Sequence, residues 1–105
     1  MNTLTDRYDR ATFLFAAGDH IEASRALADL VADEPASSSL RLLLARAYYH
    51  SAQLGRAEQE LRTLVEQNPV DVYARLLLGR TLQRQSRHDD AAAHLRLAEA
   101  MSPAA

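Results

Sequence analysis

Residues 38–71 read SSLRLLLARAYYHSAQLGRAEQELRTLVEQNPVD, a 34-residue unit that imperfect copies precede and follow. The chain contains three prolines, Pro35, Pro69 and Pro103, and each lies 34 residues from the next. A fixed period of this length is typical of repeat proteins, in which each unit is one supersecondary element. The sequence therefore predicts one domain made of three repeats, at about 4–37, 38–71 and 72–105.

The composition of the 105-residue chain favours helices. Apolar residues make up 48% and charged residues 25%, as in ordinary globular proteins. The three glycines and three prolines leave little material for the tight turns between strands, whereas Ala, Leu, Glu, Gln and Arg have high helix propensity. The predicted fold class is all-α. The absence of cysteine excludes disulfides, thiolate metal sites and cysteine nucleophiles.

Apolar spacing predicts six helices, two in each repeat. Gly18 is expected just beyond the end of the first helix, and Pro35 beyond the end of the second. The predicted helices are 3–17, 20–33, 40–51, 56–67, 72–85 and 89–101.

Small and large residues alternate at equivalent positions of the repeats. The first helices have a small residue followed one turn later by a bulky one, and the second helices show the same order. The small residues are Ala11, Ala45, Gly79, Ala23, Ala57 and Ala91, and the large ones are Leu14, Tyr48, Leu82, Leu27, Leu61 and Leu95. This alternation would let the helices of each pair interdigitate.

These positions resemble the tetratricopeptide repeat, whose 34-residue unit is a helix-turn-helix hairpin. The best match is the central repeat, with Leu44-Ala45, Tyr48, Ala57, Leu61 and Pro69. The resemblance covers nearly the whole chain. It implies a six-helix right-handed α-solenoid of three hairpins that acts as a protein-protein interaction scaffold.

One departure from the family pattern recurs in every repeat. The large apolar residue early in the first helix is replaced by arginine, at Arg7, Arg41 and Arg75. We expect the arginine stems to cover the outside of each hairpin while the guanidinium groups stay in water.

The resemblance also implies that the first helices line a concave groove for a peptide or amphipathic helix of a partner protein. An apolar groove beside a row of arginines suits an apolar segment that carries acidic residues. The alternative is that the leucines are ordinary core and the arginines are merely solvated. The expected groove residues are Tyr8, Phe15, Leu42, Leu43, Arg46, Tyr49, Tyr73, Leu76, Leu77, Arg80 and Arg84, with Thr12 and His50 beside them.

One subfamily grips the C-terminal carboxylate of chaperones with lysine, asparagine and arginine on the groove helices. The matching positions in this sequence hold none of those residues. They are Tyr8, Thr12, Leu43, Tyr73 and Leu77. The sequence therefore predicts that the chain does not bind chaperone tails by that clamp.

Catalytic motifs are not found in the sequence. It contains no glycine-rich phosphate loop and no nucleophile elbow. For the four histidines, His20, His50, His88 and His94, we expect no histidine or carboxylate partner four residues away on a shared helical face, as a helix-borne metal site would need. The chain is predicted to be a non-enzyme that needs no metal and no cofactor.

Polar residues stand at the two ends of the array, where an inner repeat would have apolar ones. Asp6 and Arg10 replace leucine or alanine in the first repeat, and Glu99 replaces valine in the last. Because a terminal repeat lacks a neighbour on one side, we expect three repeats to be the complete domain.

Charge is distributed unevenly along the chain. Residues 4–37 carry seven acidic side chains and three arginines, whereas residues 72–105 carry five arginines and three acidic side chains. The alternative function is therefore a self-associating structural or assembly subunit, in which the groove or the charged ends form a homodimer. The net charge of −2 argues against nucleic acid as a partner. No apolar run reaches the roughly 18 residues of a membrane span, so no membrane partner is expected and the chain is predicted to be cytoplasmic.

Overall fold

The computed structural model describes residues 3–102, and within that range it contains six helices and no strand. The helices are α1 (Leu4–Ala16), α2 (His20–Asp33), α3 (Ser38–His50), α4 (Leu54–Gln67), α5 (Val72–Arg84) and α6 (His88–Met101). The predicted all-α class is confirmed. The helices divide between two compact units, one ending at Gln53 and one beginning at Leu54. Pro103, the last of the regularly spaced prolines, lies outside the described residues.

The first helix of every repeat begins at an equivalent capping residue. Thr3, Ser37 and Asp71 each accept a hydrogen bond from the backbone N–H three residues ahead. These bonds satisfy donors that the first helical turn leaves unpaired. The prediction that α3 begins at Leu40 was wrong, because Ser37 is the cap and the helix begins at the next residue.

The turn between the two helices of a repeat also recurs. Gly18, Ala52 and Ser86 are 34 residues apart, and they have backbone φ angles of +84°, +59° and +61°. Glycine adopts this left-handed conformation without steric cost, whereas in alanine and serine it costs roughly 1 kcal/mol. Because Ala52 makes the central turn, α4 begins at Leu54. The predicted start of this helix at residue 56 was therefore two residues too late.

Two helices of the first unit pack against α2, namely α1 and α3. Their core is one cluster of buried apolar side chains in which small residues from α1 and α2 meet larger ones from α2 and α3. Its buried members are Ala11, Ala23, Leu27, Leu30, Val31, Leu44 and Ala47. The predicted small positions Ala11 and Ala23 are therefore core residues.

In the second unit, α5 packs against both α4 and α6. Leu61, Leu78 and Leu82 are fully buried. Gly79 is needed where α5 meets α6, because a Cβ atom there would lie 2.6 Å from Cγ and Cδ2 of Leu95. The predicted pairing of a small residue with a large one is thus explicit at Gly79 and Leu95.

The repeated arginines do not behave as the sequence suggested. Arg75 is only 8% exposed, and its Nη2 donates to the carbonyl oxygen of Pro69 at 3.1 Å. Arg41 makes the equivalent bond to Pro35 at 3.1 Å, and Arg7 forms an ion pair with Asp33. The expectation that the guanidinium groups stay in water was wrong for Arg75, whose buried guanidinium satisfies the carbonyl of the turn before its own helix.

Candidate functional site

Six of the expected groove residues belong to the first unit, two on α1 and four on α3. The guanidinium carbon of Arg46 lies 4.9 Å from the ring centroid of Phe15, a cation-π contact that joins the two helices. Phe15 and Leu43 pack against the core cluster of this unit. Tyr8 is half-exposed, and Leu42, Arg46 and Tyr49 are partly buried, so this set presents both apolar and cationic surface.

Two histidines extend this surface. The rings of His20 and His50 are stacked with centroids 4.9 Å apart, and Phe15 meets His20 edge-on at 4.8 Å. Tyr49 contacts His50 edge-on at 5.6 Å. The groove prediction placed His50 beside these residues but missed His20. The available signal was that His20 begins α2 and His50 ends α3, since these ends meet when the two helices pack in opposite directions.

A shallow depression of about 330 Å³ lies beside Tyr8. It is mostly apolar, and its floor includes Leu30 of the core. The residues around it are Leu4, Thr5, Tyr8, Leu30, Glu34, Ser39 and Leu40. A depression of this size can accept one apolar side chain of a bound protein segment.

The other five expected residues belong to α5, in the second unit. Tyr73 is half-exposed, Leu76 is partly buried, and Arg80 and Arg84 are exposed. Leu77 is only 7% exposed and offers little surface to a ligand. Leu77 therefore belongs to the core of the unit, whereas its neighbour Leu76 is partly exposed at the surface.

A network of charged side chains joins α4 and α6 of the second unit. Arg62 binds Glu58 at 2.8 Å and Asp90 at 3.0 Å. Arg87 binds the same two carboxylates at 2.7 and 3.1 Å. Burial alone would raise the pKa of Glu58, but hydrogen bonds from Arg62, Gln85 and Arg87 outweigh it and lower the pKa. Glu58 therefore stays ionised and is committed to arginine.

His94 connects this network to the buried arginine of α5. Its Nε2 is 3.6 Å from Oδ1 of Asp90, four residues earlier, and Arg75 Nη1 lies 3.3 Å from its Nδ1. The expectation that no histidine has a carboxylate partner four residues away was wrong for this pair. Asp90 is shared with two arginines, however. Among residues 3–102, no three His, Cys, Asp or Glu side chains are grouped to hold a metal ion.

Burial lowers the pKa of His94, and the charges of Arg62 and Arg75 reinforce this against the opposing effect of Asp90. Because the folded pKa lies below the unfolded value of about 6.5, the unfolded chain binds more protons in this range. We expect unfolding free energy to fall as pH drops through about 6.5, and His94→Gln to flatten this slope. Urea unfolding at several pH values measures it. His88→Gln, at an exposed histidine, should keep the wild-type slope, and equal slopes in wild type and His94→Gln would refute the assignment.

The chain is similar to known proteins in sequence and in structure. The model of the tetratricopeptide repeat family matches residues 14–81, about two thirds of the chain. No curated protein matches the sequence. In the described part of the chain, no helix has the length and apolar character to cross a membrane.

Solved structures with the same fold include MamA and a two-protein complex. MamA from Desulfovibrio magneticus RS-1, from residue 41 to its end, superposes with a TM-score of 0.86 at 24% identity and covers 95% of this chain. A MamA mutant gives 0.90 at 12% identity over 99% of this chain. A chain of the CopN-Scc3 complex gives 0.88 at 17% identity over 97%. This chain spans 56%, 76% and 60% of those three chains, and at these identities the likeness establishes the fold.

Proposed function

This chain belongs to the tetratricopeptide repeat family, and from that premise we propose that it is a scaffold for protein-protein interaction. It binds a peptide or an amphipathic helix of another protein on the surfaces that its first helices expose, α1 and α3 in the first unit and α5 in the second. Within this proposal, the chain needs no cofactor and carries out no catalysis. In residues 3–102, the carboxyl and the histidine with clearly shifted pKa values are Glu58 and His94, and both lie against arginines.

The observation that carries the proposal is the composition of the surface that the first helices leave uncovered. Tyr8 and Tyr73 are half-exposed, and Leu42 and Leu76 remain partly exposed although their helices have well-filled cores. Tyrosine and arginine are enriched at the centres of protein interfaces because they combine large apolar area with specific hydrogen bonds. In both units this surface combines apolar side chains with arginine.

The charge of the surface specifies the chemistry of the partner segment. Arg46 lies over Phe15 in the first unit, and Arg80 and Arg84 are exposed in the second. We propose that the partner segment is apolar with interspersed carboxylates. The apolar side chains would cover Leu42 in the first unit or Leu76 in the second, and the carboxylates would accept hydrogen bonds from guanidinium groups.

A selection from a displayed library of random peptides tests the proposal. We expect wild-type protein to enrich apolar peptides with Asp or Glu. In calorimetric titration, Leu42→Glu should weaken peptides bound to the first unit about tenfold or more, and Leu76→Glu should do the same for peptides bound to the second, because each places a carboxylate against the bound segment. Both positions are partly exposed, so circular dichroism should show a folded domain in each variant.

The matched control is Val70→Glu. Val70 is 73% exposed and lies between α4 and α5, off the first helices. This variant adds the same charge and should bind as wild type does. If the selected peptides bind Leu42→Glu and Leu76→Glu with wild-type affinity, or if no peptide is enriched, the proposed binding surface is wrong.

A further inference from the structure

Phe13 is 71% exposed on α1, although the equivalent positions in the other two repeats are fully buried. Those positions, 34 and 68 residues later, are Ala47 on α3 and Thr81 on α5. Helix α3 packs on α2, and α5 packs on α4, so in both cases the second helix of the preceding repeat lies against the first helix. Phe13 therefore belongs to the face of α1 that corresponds to a covered face in α3 and α5.

This front face consists of Asp6, Arg10 and Phe13 on α1 together with Glu22 on α2. Arg10 corresponds to Leu44 and Leu78, which are buried. A depression of about 290 Å³ lies beside it, lined by Asp6, Arg7, Arg10, Ala26 and Asp29. The front face is thus charged around one large exposed aromatic ring.

The corresponding rear face lies on α6. In the first unit, Ser24, Leu27 and Val31 are buried on α2, the helix against which α3 packs. Sixty-eight residues later, the equivalent positions on α6 hold Ala92, Leu95 and Glu99, and Arg96 lies beside them. Arg96 and Glu99 are exposed. We call Ala92, Leu95, Arg96 and Glu99 the rear face.

Two pairs of charges match when the front face is placed on the rear face in the register of the repeats. Arg10 is equivalent to Leu44 and Glu99 to Val31, and Leu44 and Val31 belong to one buried cluster. The same register would therefore bring Arg10 to Glu99. Opposite charges that would face each other across the contact favour this register over others.

The second pair follows from an observed ion pair. Arg62 on α4 binds Asp90 on α6 at 3.0 Å. In the last repeat the position of Arg62 is occupied by Arg96, and in the first repeat the position of Asp90 is occupied by Glu22. Arg96 of one copy would therefore meet Glu22 of the next copy. Glu22 pairs with Arg25 at the surface. A carboxylate at this position can accept a second guanidinium, since Asp90 also binds Arg87.

We propose that the front face of one copy of this chain docks on the rear face of a second copy, head to tail. Phe13 then covers Leu95, and the small side chain of Ala92 leaves room for the ring. The pairs Arg10–Glu99 and Arg96–Glu22 flank it. The contact uses the ends of the repeat array and is independent of the peptide-binding surface. Because the two faces differ, each added copy exposes a new free face, so association continues beyond a dimer.

Sedimentation velocity with complementary variants tests this arrangement. Wild-type protein should grow in mass with concentration. Phe13→Asp destroys the front face and Arg96→Glu the rear face, and each variant alone should raise the apparent dissociation constant about tenfold or more. An equimolar mixture should form a dimer in which the intact front face of Arg96→Glu docks on the intact rear face of Phe13→Asp. This dimer should grow no further, because the two faces that remain free both carry a substitution.

Further variants distinguish loss of this contact from a general effect of added charge. Val70→Asp, at an equally exposed apolar side chain off both faces, should associate as wild type does. Arg10→Glu and Glu99→Arg should each weaken association, and the double variant should restore it. If Phe13→Asp unfolds, Phe13→Ala takes its place. A monomeric wild type at all concentrations, or a mixture that stays monomeric while wild type associates, overturns the proposal.

Discussion

Leu44→Ala should lower the free energy of unfolding by about 2–5 kcal/mol, the cost of truncating a leucine that neighbouring side chains enclose. Leu44 is 2% exposed and belongs to the core cluster of the first unit, with Leu27, Leu30 and Val31. The substitution removes apolar contacts and leaves a cavity that α2 and α3 cannot close without moving. Urea unfolding followed by circular dichroism measures the change.

Leu97→Ala is the matched control, because Leu97 is 45% exposed on α6 and alanine is an equally good helix former. It should cost less than about 1 kcal/mol. Equal losses for Leu44→Ala and Leu97→Ala would contradict the assignment of Leu44 to the core.

Gly79→Ala should destabilise the chain by about 1–3 kcal/mol through overpacking. The added methyl group would lie 2.6 Å from two carbon atoms of Leu95 and 3.4 Å from the carbonyl oxygen of Ala91. One of the clashing atoms is Cγ of Leu95, near the base of its side chain, so a rotation of the terminal methyl groups cannot relieve it. Either α6 moves away from α5 or Leu95 leaves its preferred rotamer.

Gly55→Ala provides the comparison within a helix. Gly55 lies in α4, and nothing is within 4 Å of a Cβ atom placed on it. This substitution should stabilise the chain by up to about 1 kcal/mol, because alanine loses less backbone entropy in a helix. Thermal unfolding of the two variants should therefore shift in opposite directions. A stabilised Gly79→Ala would show that α5 and α6 approach less closely than described.

Much of the fold follows from the sequence, because each position can be compared with the equivalent positions of the other two repeats. Ala11, Ala45 and Gly79 occupy equivalent positions of the three repeats, and all three are buried, as their small size predicted. Helix starts were less predictable. Three consecutive serines offer several caps before α3, and a positive φ at Ala52 has no glycine to mark it.

The contacts of the charged and aromatic side chains were harder to predict. Arg75 reaches His94, and Glu58 is bound by Arg87, across 19 and 29 residues of sequence. Such pairs depend on the rotation of one helix against another, which the apolar pattern of a single helix does not specify. The same holds for the stacked rings of His20 and His50.

The leucines of the expected groove illustrate the limit for the candidate site. The sequence places three consecutive leucines in α3 and in α5, at residues 42–44 and 76–78, but it does not say which of them face the core. Leu77 is buried, whereas Leu76 is partly exposed. Similarly, the sequence pattern did not predict that Phe13 is exposed on α1, since its equivalents Ala47 and Thr81 are fully buried.

The most direct test of the proposed function is to map where a library-selected peptide binds by nuclear magnetic resonance on ¹⁵N-labelled protein. We predict that the largest amide shifts fall on α1, α3 and α5, near Tyr8, Leu42 and Leu76. Shifts confined to the second helices, α2, α4 and α6, would contradict the assignment of the first helices as the partner-binding surface.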